Sequence, residues 1–93
     1  MKYKLKFSEE AFKDLKNFDQ HERLLIAKKL NYLAENFELL KKTKKVKELK
    51  GTKYKNQYRY VIARKIRAIF RIIDNELILL ILKIRKRKDI YKV

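Results

Sequence analysis

The sequence contains no cysteine, no proline and no tryptophan, and it has one glycine and one histidine. The absence of cysteine excludes disulfides, thiolate zinc sites and thiol catalysis. The single histidine, His21, cannot form a multi-histidine metal site, and its place at the start of a predicted helix favours a surface position. We therefore expect a protein that uses neither a metal nor a cofactor.

Long hydrophobic runs are equally scarce. The longest, residues 77–82, is far shorter than the roughly 20 apolar residues that a membrane-spanning helix needs. Residues 1–7 alternate lysine with apolar side chains, whereas a signal peptide has an uninterrupted apolar stretch. We therefore expect a cytoplasmic protein that does not enter the membrane.

Positive charge, in contrast, is abundant. The 93 residues include 27 Lys and Arg against 11 Asp and Glu, which gives a formal net charge of +16. Because such an excess repels itself, it favours an anionic partner. Nucleic acid is the first candidate, since neutralised phosphates release counterions; an acidic protein is the second and a membrane surface the third. Hydrophobic residues at 46% still indicate a folded chain, and the length predicts a single domain over residues 1–93.

The charge is unevenly distributed along the chain. Residues 1–40 carry eight Lys and Arg and seven Asp and Glu, whereas residues 41–93 carry nineteen and four. No Gly-, Ser- or Pro-rich linker separates the two halves, so this is not a domain boundary. The asymmetry instead predicts a scaffold in the N-terminal half and an anion-facing surface in the C-terminal half.

The first 40 residues predict a strand and two helices. Alternating apolar residues over 3–7 indicate a half-buried strand. Ser8 is a predicted N-cap, and Asp19 with Glu22 fits a capping box that opens a second helix, from about residue 20 to about residue 39. We expect the helices to form an antiparallel hairpin. Their apolar stripes are Ala11, Phe12, Leu15 and Phe18 in the first helix and Ile26, Leu30, Leu33 and Phe37 in the second.

The second half predicts four strands, at residues 46–49, 57–63, 67–73 and 77–84. Residues 74–75, Asp-Asn, give a hairpin turn signal between the last two strands. The last strand is almost entirely apolar, as expected of a central strand that is covered on both faces. An N-terminal strand, a helical hairpin and then these strands predict an α+β fold, in which the helices pack on one face of an antiparallel sheet of about four strands.

Four local motifs, in this order, resemble the RelE/ParE superfamily of toxins from bacterial type II toxin–antitoxin systems. Residues 7–15 resemble the opening of the family, and residues 46–51 resemble its LKG segment. Residues 58–60 and 67–70 resemble its WR…YRIIF hairpin, and residues 87–91 resemble its closing HRKDVY. The resemblance implies the RelE-like α+β fold just described.

The resemblance also implies an endoribonuclease that cleaves mRNA in the ribosomal A site and is held inactive by a cognate antitoxin protein. By position, Arg67 corresponds to the arginine of the YR motif, Arg87 to the arginine of the HR motif, and Tyr91 to the closing tyrosine. Lys86 stands where many members have histidine. These four are our candidate catalytic residues, and mRNA, rRNA and the antitoxin are the expected partners.

The sequence departs from the family at several of these positions. Arg85 replaces a glycine, Ile66 replaces the tyrosine of the YR motif, and Arg64-Lys65 replaces a turn that usually contains glycine. Glu48 lies one residue away from a carboxylate that some members use as a base. The departures leave open a ParE-like inhibitor of DNA gyrase and a toxin that has lost its activity. A basic RNA- or DNA-binding domain without catalysis is a further alternative.

Metal-independent cleavage of RNA uses the 2′-hydroxyl of the substrate as the nucleophile, so the enzyme must remove a proton and stabilise charge on the phosphoryl oxygens. Arg67 and Arg87 can bind phosphate oxygens bidentately. Lys86 is a candidate base because neighbouring like charges favour the neutral form of an amine. Tyr91 could stack on a base or donate a proton. For each of these residues, a solvated surface position is the alternative interpretation.

Further basic residues are predicted to contact RNA phosphates without sequence preference. Tyr58 and Tyr60 share one face of a predicted strand, where packing against the helices and stacking on bases are both open. The predicted RNA-binding residues are Lys44, Lys45, Lys47, Lys50, Lys53, Lys55, Arg59, Arg71, Arg85 and Lys88.

Overall fold

The computed structural model describes residues 2–51 and 56–90, without the side chain of Asp74. The elements, in chain order, are β1 (Lys4–Phe7), α1 (Glu9–Leu15), α2 (Gln20–Lys42), β2 (Val46–Glu48), β3 (Gln57–Ala63), β4 (Ile66–Ile73) and β5 (Ile78–Lys86). Short 3₁₀ turns at Asp74–Glu76 and Arg87–Asp89 follow β4 and β5. Within the described residues, neither helix is long and apolar enough to cross a bilayer.

The five strands form one sheet in the order β1-β5-β4-β3-β2. Strands β2 to β5 pair antiparallel, as the sequence predicts. The N-terminal strand joins them as a fifth member, because β1 pairs in parallel with β5, from Lys4 opposite Ile78 to Phe7 opposite Ile81. The α+β class is confirmed, and the sheet is mixed rather than wholly antiparallel.

Both predicted helix N-caps are present. The Ser8 hydroxyl accepts a hydrogen bond from the backbone N–H of Ala11 at 3.0 Å. Asp19 and Glu22 form the reciprocal capping box, with each side chain accepting from the backbone N–H of the other residue. Ser8 also donates its hydroxyl proton to the carbonyl of Leu82 at 3.0 Å, so this cap fastens the start of α1 to the central strand β5.

Replacement of Ser8 by alanine is expected to lower the free energy of unfolding by about 1–2 kcal/mol, because it removes the cap and the bond to β5 together. Asp19→Ala is the matched control, since that exposed cap serves α2 alone. We expect the smaller loss for Asp19→Ala in urea unfolding of both variants. Equal losses would show that the bond from Ser8 to Leu82 contributes nothing.

The core lies between the helices and one face of the sheet. The predicted α2 stripe is buried there, and its Phe37 ring makes edge-to-face contacts with Tyr3, Tyr58 and Phe70 at 5.3–5.8 Å between ring centroids. The prediction for Phe12 is wrong, because its side chain is 59% exposed and packs only against Phe7 among the rings. Since α1 packs mainly against β5 while α2 lies over β1, β2 and β3, the helices spread across the sheet instead of pairing closely.

A register shift interrupts the alternation of β5. Leu82 is an extra residue between Ile81, which pairs with Phe70, and Lys83, which pairs with Ile69. The bulge keeps both Ile81 and Ile84 on the helix side, and an apolar run fits this broken alternation. Both helices lie on one side of this strand, and on its other side Ile78 is nevertheless buried, as is Ile69 of β4. The turn between β4 and β5 is longer than the two residues that the sequence predicts, because residues 74–77 all lie outside the strands.

Candidate functional site

The two faces of the sheet differ sharply in chemistry. Residues that pair across neighbouring strands point to the same side, so the register assigns each strand position to a face. Ala68 pairs with Ile84 and lies on the helix side, whereas Ile69 pairs with Lys83 and lies on the opposite side. We call the side that neither helix covers the open face.

Basic side chains dominate the open face. The strand positions on this face are Lys4, Lys6, Lys47, Gln57, Arg59, Val61, Arg67, Ile69, Arg71, Ile73, Ile78, Leu80, Lys83 and Arg85. Eight of these residues are Lys or Arg, and among the described strand positions no carboxylate and no aromatic ring shares the face with them. Such a surface attracts anions and repels cations.

Arg67 lies at the end of the sheet where β3 turns into β4. Its Nη1 donates hydrogen bonds to the carbonyls of Ala63 at 2.7 Å and Arg64 at 3.0 Å, and it also lies 3.3 Å from the carbonyl of Ile66. These bonds hold the guanidinium against the turn. The sequence signal for Arg67 was a family motif, and the structure adds a structural role that the motif did not predict.

Arg85, the cross-strand neighbour of Arg67, turns towards α1 instead. Its Nε donates to Oδ2 of Asp14 at 3.3 Å, and its Nη2 forms an ion pair with Glu10. The same Asp14 oxygen accepts the backbone N–H of Ile84 at 3.0 Å, and Asp14 is the one buried charged residue among those described. Two arginines placed directly opposite each other would repel, and here their guanidinium groups are held by different partners.

A basic depression lies at the same end of the sheet. Lys65, Lys86, Arg87 and Lys88 line it, and its volume is about 540 Å³. The Arg87 N–H donates to the carbonyl of Lys65 at 2.8 Å, which joins the segment after β5 to the β3–β4 turn. Lys86, Arg87 and Lys88 are all exposed. The structure thus brings three predicted residues, Arg67, Lys86 and Arg87, to one end of the sheet.

Lys65 completes this depression and was not among the predicted site residues. The sequence showed it only as half of an Arg-Lys turn. Its contribution depends on the backbone bond to Arg87, a contact between residues more than twenty positions apart, which local sequence patterns do not reveal. The sequence signal that could have identified Lys65 was the basic Arg64-Lys65 turn, which replaces a turn that usually contains glycine.

The remaining predicted residues fall into four groups. Tyr60 is buried in the core and Tyr58 is half-buried against it, where the Tyr58 ring stacks on Phe70 at 5.5 Å between centroids, as the packing alternative predicts. Lys47, Arg59 and Arg71 lie on the open face. Lys44, Lys45 and Lys50 flank β2 and are exposed, as is Glu48 within that strand. Lys53, Lys55 and Tyr91 lie outside the described residues.

Burial raises the pKa of Tyr60, and nearby Tyr32 adds to the effect. Below pH 10 the hydroxyl is protonated in both the folded and the unfolded chain. As the pH rises through 10, the unfolded chain loses this proton first, so the free energy of unfolding falls until the folded chain titrates too. Unfolding measured from pH 8 to 11 should therefore show wild type losing stability relative to Tyr60→Phe, whereas a constant difference between the two would contradict this assignment.

The chain matches one protein family over most of its length. The matching description is the ParE toxin of type II toxin–antitoxin systems (parDE), over residues 5–91. The chain belongs to this family. It is therefore the toxin component of a type II toxin–antitoxin system. No curated protein matches the chain significantly in sequence.

Solved structures of related toxins share the fold. A chain of the RelBE2 toxin–antitoxin complex from Mycobacterium tuberculosis superposes with a TM-score of 0.71 at 19% identity, over 94% of this chain and 100% of that one. The archaeal RelE–RelB complex from Pyrococcus horikoshii gives 0.69 at 22%, over 94% and 97%. The DinJ–YafQ complex from E. coli gives 0.72 at 18%, over 98% and 99%. Each of these neighbours was solved as a toxin–antitoxin complex.

The ParE-family chain carries many cations that can bind phosphate, and its described residues include no cluster of metal ligands. Within residues 2–51 and 56–90, no group of three or more His, Cys, Asp or Glu could hold a metal ion. His21 is exposed in the first turn of α2, in the N-terminal half of the chain. The chemically capable groups in the described structure are the cations of the open face and of the basic depression.

Proposed function

We propose that this toxin is a ribosome-dependent endoribonuclease that cleaves mRNA by attack of the 2′-hydroxyl and is neutralised by a cognate antitoxin. One observation carries the proposal: Lys86 and Arg87 line a depression whose described lining is wholly basic, at the end of the sheet where Arg67 also lies. A cleavage reaction that builds negative charge on phosphoryl oxygens needs such preorganised cations.

The proposed roles follow from the position of each group. Arg87, exposed at the depression, binds the scissile phosphate and stabilises the charge that develops on it. Lys86 is the candidate for moving the proton of the 2′-hydroxyl. Arg67 stays fixed at the turn by the carbonyls of Ala63 and Arg64, so it contributes a positioned charge at the edge of the site. Among the described residues, no histidine or carboxylate lines this depression, and Lys86 is the base that we propose.

The partner follows from the same surface. A protein with a formal charge of +16 needs an acidic inhibitor to cover the open face or the depression. The neighbours solved as complexes with antitoxins support a protein antitoxin for this chain. Co-expression with the cognate antitoxin should restore growth and remove binding of the toxin to RNA.

A gyrase inhibitor is the second candidate, because the matching family is described by its ParE toxin. Induced expression separates the two functions. The endoribonuclease predicts growth arrest with new mRNA 5′ ends and intact chromosomal DNA. The gyrase inhibitor predicts DNA breaks and an SOS response with intact mRNA, and this result would overturn our proposal.

A further inference from the structure

We propose that the face of α2 that points away from the sheet binds the same face of a second copy of this chain, so that two toxin molecules associate through an antiparallel pair of helices. The face has three exposed apolar side chains, Leu24, Tyr32 and Leu39, which are 64%, 48% and 51% exposed. Two exposed residues of opposite charge, Lys28 and Glu35, stand between them. We call these five residues the outer ridge. The inference goes beyond the proposed function and does not rest on it.

The outer ridge follows the helical repeat. Its members are four, four, three and four positions apart, and at 3.6 residues per turn the first four lie within about 80° of one another around the helix. The backbone leaves helical geometry at Asn36, with φ −128° and ψ 27°, and Leu39 beyond it still lies at the surface. Buried side chains such as Leu30 and Leu33 point to the sheet from the other side of α2. The ridge is therefore a second apolar line, and it is exposed in the described structure.

The order of residues in the outer ridge is complementary to itself when one copy is reversed. When Leu24 lies opposite Leu39 of the second copy, a step of four residues along each helix brings Lys28 opposite Glu35 of that copy. Two-fold symmetry repeats both contacts, and residues 31 and 32 lie on either side of the axis. A parallel pair would instead place Lys28 opposite Lys28 and Glu35 opposite Glu35. Charge complementarity thus selects a second copy of this chain, in the antiparallel direction.

A shallow depression at the C-terminal end of α2 can receive Leu24 of the second copy. Its volume is about 650 Å³, and Glu38, Leu39, Lys41 and Lys42 line it. From Leu24 to Leu39 the ridge is about 22 Å long at 1.5 Å per residue, and a helix is about 10 Å wide. The contact is therefore much smaller than the roughly 800 Å² per partner of a standard interface. We expect a weak dimer that forms only at high concentration.

The net charge of +16 opposes association of two copies and limits where they can meet. Residues 1–40 carry eight Lys and Arg against seven Asp and Glu, and the whole outer ridge lies in this nearly neutral part of the chain. At physiological salt the Debye length is about 8 Å, so most of the repulsion between the distant basic halves is screened. The same near-neutrality makes a polyanion a poor occupant of this face. The basic depression contains no ridge residue, so association leaves its lining uncovered by the helix pair.

The test is sedimentation equilibrium of the purified toxin over a wide range of concentration, with reversals of the two ridge charges. Lys28→Glu places like charges opposite each other twice in the symmetric contact, so it should weaken the dimer by about tenfold or more although it lowers the net charge. Glu35→Lys should weaken it likewise. The double reversal Lys28→Glu/Glu35→Lys restores both pairs and the original net charge, and its dissociation constant should lie within about threefold of wild type. A wild-type toxin that stays monomeric, single reversals without effect, or a double reversal that does not restore the dimer would overturn the proposal.

Lys29→Glu is the matched control, because it makes the same change of charge at an exposed position about 100° away around the helix. It should not weaken the dimer, and a loss equal to that of Lys28→Glu would overturn the ridge as the interface. Leu24→Ala removes one apolar contact from each end of the pair and should weaken the dimer by about tenfold or more. The ridge side chains are exposed, and so is the ion pair between Lys2 and Glu35 at 3.9 Å, so all variants should melt like wild type.

The salt dependence identifies the occupant of the ridge. Two cationic copies repel at long range, so the dimer should tighten as the salt concentration rises. An acidic antitoxin segment on the same face would instead bind more weakly as salt rises. If wild-type toxin stays monomeric and Lys28→Glu abolishes binding of the cognate antitoxin, the ridge is an antitoxin site and the proposal is wrong. Sedimentation uses neither RNA nor ribosomes, so the dimer can stand while cleavage fails, and the reverse.

Discussion

Replacement of Arg87 by alanine is expected to abolish growth arrest and to reduce cleavage of mRNA by about 10²–10³-fold, the usual loss when one preorganised donor to developing charge is removed. The side chain is exposed beside Lys65, Lys86 and Lys88, and it packs in no part of the core. The variant should therefore fold and melt like wild type. Induced expression and a thermal melt of the same purified variant measure the two quantities.

The control for Arg87→Ala removes one charge from the other side of the molecule. Lys28→Ala on the exposed part of α2 lowers the net charge equally but leaves the basic depression intact. It should remain toxic within about twofold. If Lys28→Ala and Arg87→Ala lose activity to the same extent, net charge rather than a positioned guanidinium accounts for the activity, and our assignment of Arg87 is wrong.

Replacement of Asp14 by alanine is expected to give the largest loss of stability, about 2–4 kcal/mol, because it leaves the Ile84 N–H and the Arg85 guanidinium without their carboxylate. The side chain of Asp14 is 9% exposed, and it links α1 to the end of β5 across seventy residues of sequence. For a domain of this size, the melting temperature should fall by roughly 10–25 °C.

Glu10→Ala is the matched control for Asp14→Ala, since both carboxylates bind Arg85 from α1. The Glu10 side chain is 49% exposed, and exposed ion pairs contribute at most about 1 kcal/mol. We expect its melting temperature to stay within a few degrees of wild type. A large loss for Glu10 and a small one for Asp14 would mean that the ion pair, and not the buried bond to the Ile84 N–H, fastens α1 to the sheet.

Local patterns predicted the elements well because their signals are local. The Asp19 capping box, the apolar stripe of α2 and the alternation of residues 57–63 each depend on residues within a few positions of one another. The predictions that failed concern features that depend on tertiary contacts. Whether β1 joins the sheet, and in which direction, depends on pairing with β5 more than seventy residues away. The Leu82 bulge depends on the register between β4 and β5, which composition does not encode.

The candidate site shows the same division. The sequence located a basic C-terminal half and, through resemblance to a family, named Arg67, Lys86 and Arg87. It did not predict that Arg67 would bond to the turn or that Arg85 would bind two carboxylates of α1, because both contacts require the folded sheet. Nor did it identify Lys6 and Lys83, which look like ordinary strand lysines until the register places them on the open face.

The central claim is cleavage of mRNA by the cations at one end of the sheet. The most direct measurement adds purified toxin to ribosomes stalled on a defined mRNA, in the presence of a metal chelator at a concentration that leaves the ribosomes intact, and maps the mRNA ends by primer extension. We predict new 5′ ends within the A-site codon for wild type and none for Arg87→Ala. Intact A-site mRNA with wild-type toxin, or equal cleavage by both proteins, would contradict the account.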